Sequence, residues 1–273
     1  MAYIDDVART HYKASGLTDR IREALLAIGP ENRQLDFADI AAMDHFHTRG
    51  IAATKDLAFA AGILPGARVL DIGCGLGGPA RLLAKTFNCH VTGIDLSEDF
   101  IDAARYLTDR CGLQEQVSFH VGNALDLPFE RSSFDMVFLQ HVAMNIQDRA
   151  GLYKGIARVL APGGRLAAYD VTLKGGDVLY PCPWARDASG SFLLTEAQTR
   201  DALISAGFNP IAWRDDSEVA LNWFATLPAR STPIGPTLST VMGPDFPALV
   251  NNLARNLSEG RVGILSAIAE SCG

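Results

Sequence analysis

The sequence lacks the features that would direct a protein to a membrane or to nucleic acid. No apolar run reaches the roughly 18 residues of a membrane span, and the opening residues, MAYIDDVARTHYK, lack the apolar core of a signal peptide. The net charge of −7 leaves no basic footprint for a nucleic acid or an anionic membrane surface. We therefore expect a soluble, cytoplasmic protein, a monomer or homodimer, whose partner is a small molecule.

Cysteine and histidine are scarce, and their pattern argues against a disulfide framework or a zinc site. The five cysteines are odd in number and include no CxxC pair, which predicts free thiols in a reducing compartment. His45 and His47 are the only closely spaced histidines, and their spacing of two residues is poor for metal ligands on a helix. We expect no bound metal.

The middle of the chain alternates short apolar runs with amphipathic stretches, which is typical of βαβ units around a parallel sheet. The predicted strands cover residues 68–72, 90–95, 117–121, 134–139 and 165–171, and two more are expected near 211–214 and 262–268. Ser97, Asp148 and Thr195 are predicted to cap helices. The Asp148 helix is expected to run to Leu160 and to stop at residues 161–164 (APGG). The pattern predicts an α/β, doubly wound fold.

Two segments fall outside this alternation. Residues 1–60 carry only helical patterns, such as the apolar stripe at positions 53, 57, 60 and 61, and are predicted to form an N-terminal helical cap over the open end of the sheet. Residues 61–273 then form the main domain. Within it, residues 217–260 are an aliphatic, proline-containing insertion that could cover an apolar cavity.

The glycine turn (residues 73–78, GCGLGG) follows the first predicted strand, which ends Asp71-Ile72. Glycines at such a place let the backbone bend tightly and approach a ligand where a Cβ atom would collide. Gly73, Gly75 and Gly78 also satisfy the GxGxxG dinucleotide fingerprint, and Asp95, at the end of the second strand, suits a ribose in either case. The turn alone therefore leaves two kinds of ligand open.

Three features favour S-adenosylmethionine over a dinucleotide. A carboxylate at Asp71 suits the positively charged methionine end of that molecule better than it suits a pyrophosphate. The segment 122–129 (GNALDLPF) follows the third strand and offers a polar side chain and a backbone N–H that could read an adenine edge. The segment 158–166 (RVLAPGGRL) precedes the fifth strand.

Together these blocks resemble the class I S-adenosylmethionine-dependent methyltransferases. The resemblance rests on VLDIGCGLGG, GIDLS, GNALDLPF and RVLAPGGRL in this order and covers roughly residues 55–171. It implies a Rossmann-like sheet of seven mostly parallel strands, the last antiparallel, with the cofactor across the ends of strands one to four. The cofactor contacts that it implies are Asp71, Gly73, Gly75 and Gly77 for the methionine portion, Asp95 and Leu96 for the ribose, and Asn123 and Ala124 for the adenine.

A finer resemblance links residues 43–54 (MDHFHTRGIAAT) to the lead-in of the sarcosine/dimethylglycine and phosphoethanolamine N-methyltransferases. It implies cofactor contacts for Phe46, His47 and Gln140, and a catalytic role for Tyr12 in closing over the methyl group. Where the phosphoethanolamine enzymes have a catalytic histidine after the fourth strand, this chain has Asn145. That departure argues against phosphobase substrates.

The remaining candidates concern the methyl acceptor. His141 immediately follows the fourth strand and can accept a proton near neutral pH, so it is the candidate base, with loop orientation as the alternative role. The predicted acceptor contacts are His45, Asn145, Tyr180, Trp184 and Arg186. Tyr180 and Trp184 could form an aromatic wall for a developing ammonium, and Arg186 could pair with a carboxylate. Core packing and solvation are the respective alternatives.

The sequence therefore predicts methylation of a small soluble molecule and leaves the acceptor open. It is either an amine such as a glycine derivative or an N, O or C atom of a natural product. Two alternatives remain: a protein of this fold that binds S-adenosylmethionine but catalyses another reaction such as cyclisation, and an NAD-dependent oxidoreductase that uses the same glycines.

Overall fold

The computed structural model describes residues 16–227 and 235–273 and contains one seven-stranded sheet. The strand order is β3-β2-β1-β4-β5-β7-β6, and β7 is antiparallel to both of its neighbours. The strands are β1 Arg68–Ile72, β2 His90–Asp95, β3 Val117–Val121, β4 Phe134–Gln140, β5 Leu160–Leu173, β6 Phe208–Asp215 and β7 Val262–Ser271. The predicted doubly wound sheet with its antiparallel last strand is confirmed.

Helices flank the sheet on both faces and cover its carboxyl edge. They are α1 Leu17–Leu25, α2 Phe37–Asp44, α3 Ile51–Ala61, α4 Gly78–Phe87, α5 Glu98–Arg110, α6 Arg149–Val159, α7 Glu196–Ser205, α8 Ser217–Thr226, α9 Leu238–Met242 and α10 Phe246–Ser258. The expected caps are present: Ser97, Asp148 and Thr195 each accept a backbone N–H at the start of their helices.

Alternation along the strands sends successive side chains to opposite faces of the sheet and so builds two cores. Val69 and Phe138 belong to the face covered by α1–α5 and α10, whereas Leu70 and Leu139 belong to the face covered by α6 and α7. Because both faces are buried, the central strands read as continuous apolar runs. Among the described residues no helix is both long and apolar enough to cross a bilayer.

Two local expectations were wrong. The segment 161–164, expected to separate α6 from the fifth strand, lies inside β5. The ladder shifts register there, since Phe134 pairs with Leu160 and Met136 with Arg165, and Gly163 adopts the positive φ of 72° that such a bulge needs. In α3, Ala60 is exposed rather than part of the buried stripe, because Ala58 takes that place in the core.

The predicted insertion, residues 217–260, contains α8, α9 and α10. Helix α9 packs against α1 and α2, so the insertion meets the N-terminal helices over the carboxyl edge of the sheet. This arrangement brings two segments that are remote in sequence to the same end of β1–β4. The domain boundary near residue 60 stays a prediction.

Candidate functional site

A cavity of about 390 Å³ opens at the carboxyl ends of β1, β2, β3 and β4, the place where open α/β sheets bind ligands. Its volume lies in the range of small-molecule and cofactor sites. Most of its lining is apolar. The lining residues are Phe46, Ile72, Gly73, Gly75, Ile94, Asp95, Leu96, Phe100, Gly122, Asn123, Ala124, Leu125, Gln140, His141, Val142, Met144, Asn145, Ile146, Gln147, Asp148, Pro183, Trp184, Met242 and Phe246.

The glycine turn forms one wall of the cavity, and its glycines are there for two different reasons. Gly73 and Gly75 line the cavity with φ angles of 67° and 53°, a conformation that residues with a Cβ atom rarely adopt. Gly77 does not line the cavity. A Cβ atom there would lie 2.4 Å from the Phe119 ring, so Gly77 permits close packing beneath the turn.

Asp95, the last residue of β2, accepts two backbone N–H groups. Its Oδ2 accepts from Gly75 at 3.0 Å and its Oδ1 from Ser97 at 2.9 Å. These bonds fix the carboxylate at the cavity beside Leu96, and the ribose contact of both residues stays a prediction. One side chain thereby ties the glycine turn of β1 to the end of β2.

Asp71 lies behind the cavity wall rather than in its lining. The side chain is buried, its Oδ2 has no hydrogen-bond partner among the described residues, and burial, with a smaller contribution from Asp95, raises its pKa to about 8. A buried carboxylate with an unsatisfied oxygen is costly. A cation placed nearby would favour the ionised form, so this group suits a positively charged ligand.

Asn123 and Ala124 line the cavity after β3, where the resemblance places an adenine. The Asn123 Oδ1 accepts the backbone N–H of Leu125 at 2.9 Å, which fixes the loop in an Asx turn. The polar loop and the apolar side chains of Ile94 and Leu125 provide a face suited to a flat heterocycle.

The segment between α2 and α3 covers the glycine turn through Phe46. A Cβ atom on Gly75 would lie 3.3 Å from Phe46 Cε2, so the ring sits directly over the turn. Asp44, two residues before Phe46, is held by Arg81. The Nη2 of Arg81 donates to Asp44 Oδ2 at 2.8 Å and to the Leu76 carbonyl at 2.7 Å. Both charged side chains are fully buried.

His45 and His47 do not line the cavity. His45 was predicted to contact the methyl acceptor. Its Nδ1 instead lies 2.7 Å from Asp44 Oδ1, beside the buried Asp44–Arg81 pair. His47 contacts Thr54, whose hydroxyl donates to Gln140 Oε1 at 3.0 Å. Of this group, Gln140 alone reaches the cavity, and its Nε2 has no partner among the described residues.

His141 lines the cavity in a left-handed conformation with φ of 53°. Its Nε2 has no hydrogen-bond partner among the described residues, and burial lowers its pKa to about 3. The imidazole is therefore neutral at physiological pH and can accept a proton or a hydrogen bond. Burial opposes the imidazolium form, and the role of His141 as a base stays a prediction.

Trp184 forms part of the opposite wall, and Asn145 holds it there. Asn145 Nδ2 donates to the Trp184 carbonyl at 2.7 Å and to the Gly190 carbonyl at 3.2 Å, and Trp184 Nε1 donates to Ser191 Oγ at 2.9 Å. Both residues line the cavity, as predicted. The amide of Asn145 thus anchors the loop after β5, a role that its sequence position did not reveal.

Two further predicted residues, Tyr180 and Arg186, do not line the cavity. Tyr180 is half-buried against the core, Arg186 is exposed, and neither is in the lining. Tyr12 lies outside the described residues. Their proposed roles stay predictions.

The sequence reasoning missed several apolar lining residues. Met144 follows β4, whereas Met242 and Phe246 come from α9 and α10 of the insertion. The aliphatic composition of residues 217–260 was the available signal, but it could not single out these two. Asp148 was predicted only as a helix cap and also lines the cavity.

The charges of the lining are all of one sign. Asp95 and Asp148 are its acidic residues, and no lysine or arginine of the described ranges belongs to it. Arg49, which follows the His45–His47 segment, is not in the lining and pairs with Asp56 and Asp216. Within residues 16–227 and 235–273 there is also no cluster of three potential metal ligands.

Comparisons with known proteins place this site in a family context. Residues 70–168 match the family model described as a methyltransferase domain. The chain is similar to sterol 24-C-methyltransferase ERG6B of Gibberella zeae, with 39% identity over 42% of this chain and 30% of that protein. It is also similar to methyltransferase GfsG of Streptomyces halstedii, with 33% identity over 58% of this chain and 57% of that protein.

These curated relatives are matched over part of their length, between 30% and 57%. A structural comparison extends the likeness to the whole fold. The structure of Haemonchus contortus phosphoethanolamine N-methyltransferase 2 in complex with S-adenosyl-L-methionine superposes with a TM-score of 0.71 at 20% identity. The superposition covers 100% of this chain and 60% of that one.

Proposed function

We propose that this chain, whose residues 70–168 match the methyltransferase domain model, methylates a small and largely apolar molecule with S-adenosylmethionine. The observation that carries the acceptor class is the cavity lining. It combines aromatic and thioether side chains with two carboxylates and has no cation among the described residues. The predicted cytoplasmic location and monomeric or homodimeric state remain part of this proposal.

The cavity residues suit S-adenosylmethionine. That cofactor supplies a methyl group bound to a positively charged sulfur. Asp71, with its unsatisfied buried oxygen, suits the cationic end, while Gly73 and Gly75 leave the backbone bare for close approach. We assign the ribose to Asp95 and Leu96, the adenine to Asn123 and Ala124, and further contacts to Phe46 and Gln140. Gly77 and His47 would act indirectly, from behind the wall.

The acceptor half of the cavity favours an apolar substrate over an anionic one. A carboxylate or phosphate there would lose its hydration and find no lysine or arginine of the described residues in the lining, which is unfavourable. This argues against glycine derivatives and phosphobases as acceptors. The similarity to sterol 24-C-methyltransferases supports an apolar acceptor instead.

The protein's part in the reaction is alignment and exclusion of water. Methyl transfer from a sulfonium is an in-line displacement, so holding the acceptor atom against the methyl group contributes most of the rate. Trp184, Met242 and Phe246 would enclose the acceptor, and the neutral His141 lines the same cavity, with a buried Nε2 that has no partner among the described residues. His141 would take a proton if the acceptor atom loses one.

The test has two steps. Calorimetry should detect S-adenosylhomocysteine binding to the wild type and none to Gly75→Val, because a β-branched residue at φ of 53° is strained and would press on Phe46. Formation of S-adenosylhomocysteine is then measured with phenols and terpenoids against glycine, sarcosine and dimethylglycine.

The outcomes separate the hypotheses. Wild-type protein that ignores the cofactor product at millimolar concentration would remove the methyltransferase proposal. Turnover of sarcosine but of no phenol or terpenoid would contradict the apolar acceptor. Binding of the cofactor with no turnover of any acceptor would favour a different reaction in the same site.

A further inference from the structure

Gln140 lines the cavity, and its side-chain amide oxygen contacts a buried hydroxyl. Its Oε1 accepts from Thr54 Oγ1 at 3.0 Å, and its Nε2 has no partner among the described residues. Gln140 is only 8% exposed. An unpaired amide donor at such a depth is costly unless a ligand accepts it.

The orientation of the Gln140 amide depends on His47, which contacts Thr54 and not Gln140 itself. The Nε2 of His47 lies 3.1 Å from the Gly50 carbonyl oxygen and 3.0 Å from Thr54 Oγ1. A carbonyl can only accept, so Nε2 must carry the proton. It therefore cannot accept from Thr54, and the Thr54 oxygen receives the shared N–H.

The remaining hydrogen-bond roles follow from this tautomer. Thr54 has one hydroxyl proton and, with its oxygen accepting from His47, directs that proton to Gln140. Only the amide oxygen can accept it, so Oε1 faces Thr54 and Nε2 is turned away from Thr54. Burial and the neighbouring His45 and His141 lower the pKa of His47, so its imidazole is neutral, with the single proton on Nε2.

The register of the sheet places this amide at the donor end of the cavity. Leu139 of β4 pairs with Ile72 of β1, so Gln140 stands at the level of Gly73, where the glycine turn begins. Neither Thr54 nor His47 lines the cavity. The hydrogen-bonded route from either residue to a ligand therefore passes through Gln140, while the His47 ring also lies edge-on to His141, with centroids 6.1 Å apart.

We propose that Thr54 and His47 are positioning residues that hold the Gln140 amide with its Nε2 donating to the bound methyl donor. This inference rests on the proposed function, because it takes S-adenosylmethionine as the ligand. Thr54 belongs to α3 and Gln140 to β4, so the contact links the N-terminal helices to the reacting edge of the sheet.

The central experiment measures S-adenosylhomocysteine affinity by calorimetry. Thr54→Val keeps the shape and removes the hydroxyl, which frees the amide to flip, so we expect a Kd about 3- to 10-fold higher. Thr54→Ser restores the hydroxyl and should bind within about 2-fold of the wild type. Thr199→Val is the matched control: Thr199 is a buried helical threonine in α7 whose hydroxyl bonds only its own helix, and its affinity should not change.

A double-mutant cycle separates positioning from a general packing defect. Gln140→Leu should weaken binding, and Thr54→Val should add nothing in that background, because its effect passes through the amide. His47→Phe leaves Thr54 in place and provides a second route if Thr54→Val folds poorly. It should also raise the Kd, by about 2- to 5-fold.

Two results would overturn the inference while leaving the proposed function intact. One is wild-type affinity in both Thr54→Val and His47→Phe. The other is a full Thr54→Val effect in the Gln140→Leu background. Wild-type protein that does not bind S-adenosylhomocysteine at all would instead remove the proposed function, and this inference with it.

Discussion

His141 lies face to face with Tyr169, with ring centroids 5.5 Å apart and planes inclined by 6°. Its backbone N–H also donates to the Tyr169 carbonyl at 2.8 Å. The stacked phenol fixes the imidazole plane without offering it a counter-charge. This pairing explains how a histidine can stand at the reaction cavity and remain uncharged.

The pH profile should show no ionisation of His141 near neutrality. Burial lowers its pKa to about 3, so between pH 5 and 8 the free enzyme holds it neutral. We expect the acid limbs of kcat/KM for wild type and His141→Gln to have the same shape between about pH 5 and 8. A wild-type ionisation near 6.5 that disappears in the variant would contradict this environment.

The turnover of His141→Ala reports whether the histidine takes a proton. With a phenolic acceptor, loss of a general base should lower kcat by about 10²–10⁴. A change of less than about 3-fold would assign His141 to holding the loop after β4. The measurement is steady-state formation of S-adenosylhomocysteine with saturating acceptor.

Asp71→Asn should alter the pH dependence of stability in the ligand-free protein. The carboxyl has a folded pKa of about 8 and an unfolded value of 3.8, so the folded state holds a proton that the unfolded chain has lost. The contribution of Asp71 to the unfolding free energy therefore falls as pH rises from about 4 to 8. The asparagine variant should lack that fall and bind S-adenosylmethionine more weakly.

The matched control for Asp71 is Asp170→Asn. Asp170 is another buried carboxyl, and burial raises its pKa to about 6. The difference between wild type and Asp170→Asn should therefore level off near pH 6, two units earlier than for Asp71→Asn. If denaturant unfolding gave the same pH window for both variants, the higher pKa assigned to Asp71 would be wrong.

Truncation of the insertion residues in the cavity should change acceptor selection. Met242→Ala and Phe246→Ala remove apolar contacts from the acceptor wall, so the KM of an apolar acceptor should rise and bulkier acceptors should gain relative kcat/KM. Val241→Ala is the control, because Val241 is buried next to Met242 on α9 but does not line the cavity. The affinity for S-adenosylhomocysteine should be unchanged in all three. If all three variants showed the same acceptor preference, Met242 and Phe246 would not form the acceptor wall.

Asp44→Asn should strongly destabilise the fold. Asp44 and Arg81 are both fully buried, so removing one charge leaves the other uncompensated, at a cost of about 3–5 kcal/mol. The exposed pair Arg68–Asp135 offers the comparison, and Asp135→Asn should cost about 0–1 kcal/mol. Unfolding free energies from urea titration check both. Similar losses in the two variants would show that the buried pair contributes no more than a surface pair.

Much of the fold could be predicted because its signals are local. The strand ends at Asp71 and Asp95, the caps at Ser97 and Asp148, and the capping box at Thr195 each depend on neighbouring residues only. Periodicity and turn chemistry act over a few residues, so they are legible in the chain. The bulge that carries residues 161–164 into β5 was missed because it depends on pairing with β4.

The sequence by itself determined one wall of the cavity, the wall at the carboxyl ends of β1–β4. The glycines, acidic residues and strand ends of that wall follow one another closely in the chain. Only the tertiary structure decided the other wall and the charge states. Met242 and Phe246 reach the cavity from more than 100 residues beyond the end of β4, and Gln140 receives its orientation from Thr54, 86 residues earlier. Burial, which sets the pKa of Asp71 and of His141 in opposite directions, exists only once those distant segments have packed.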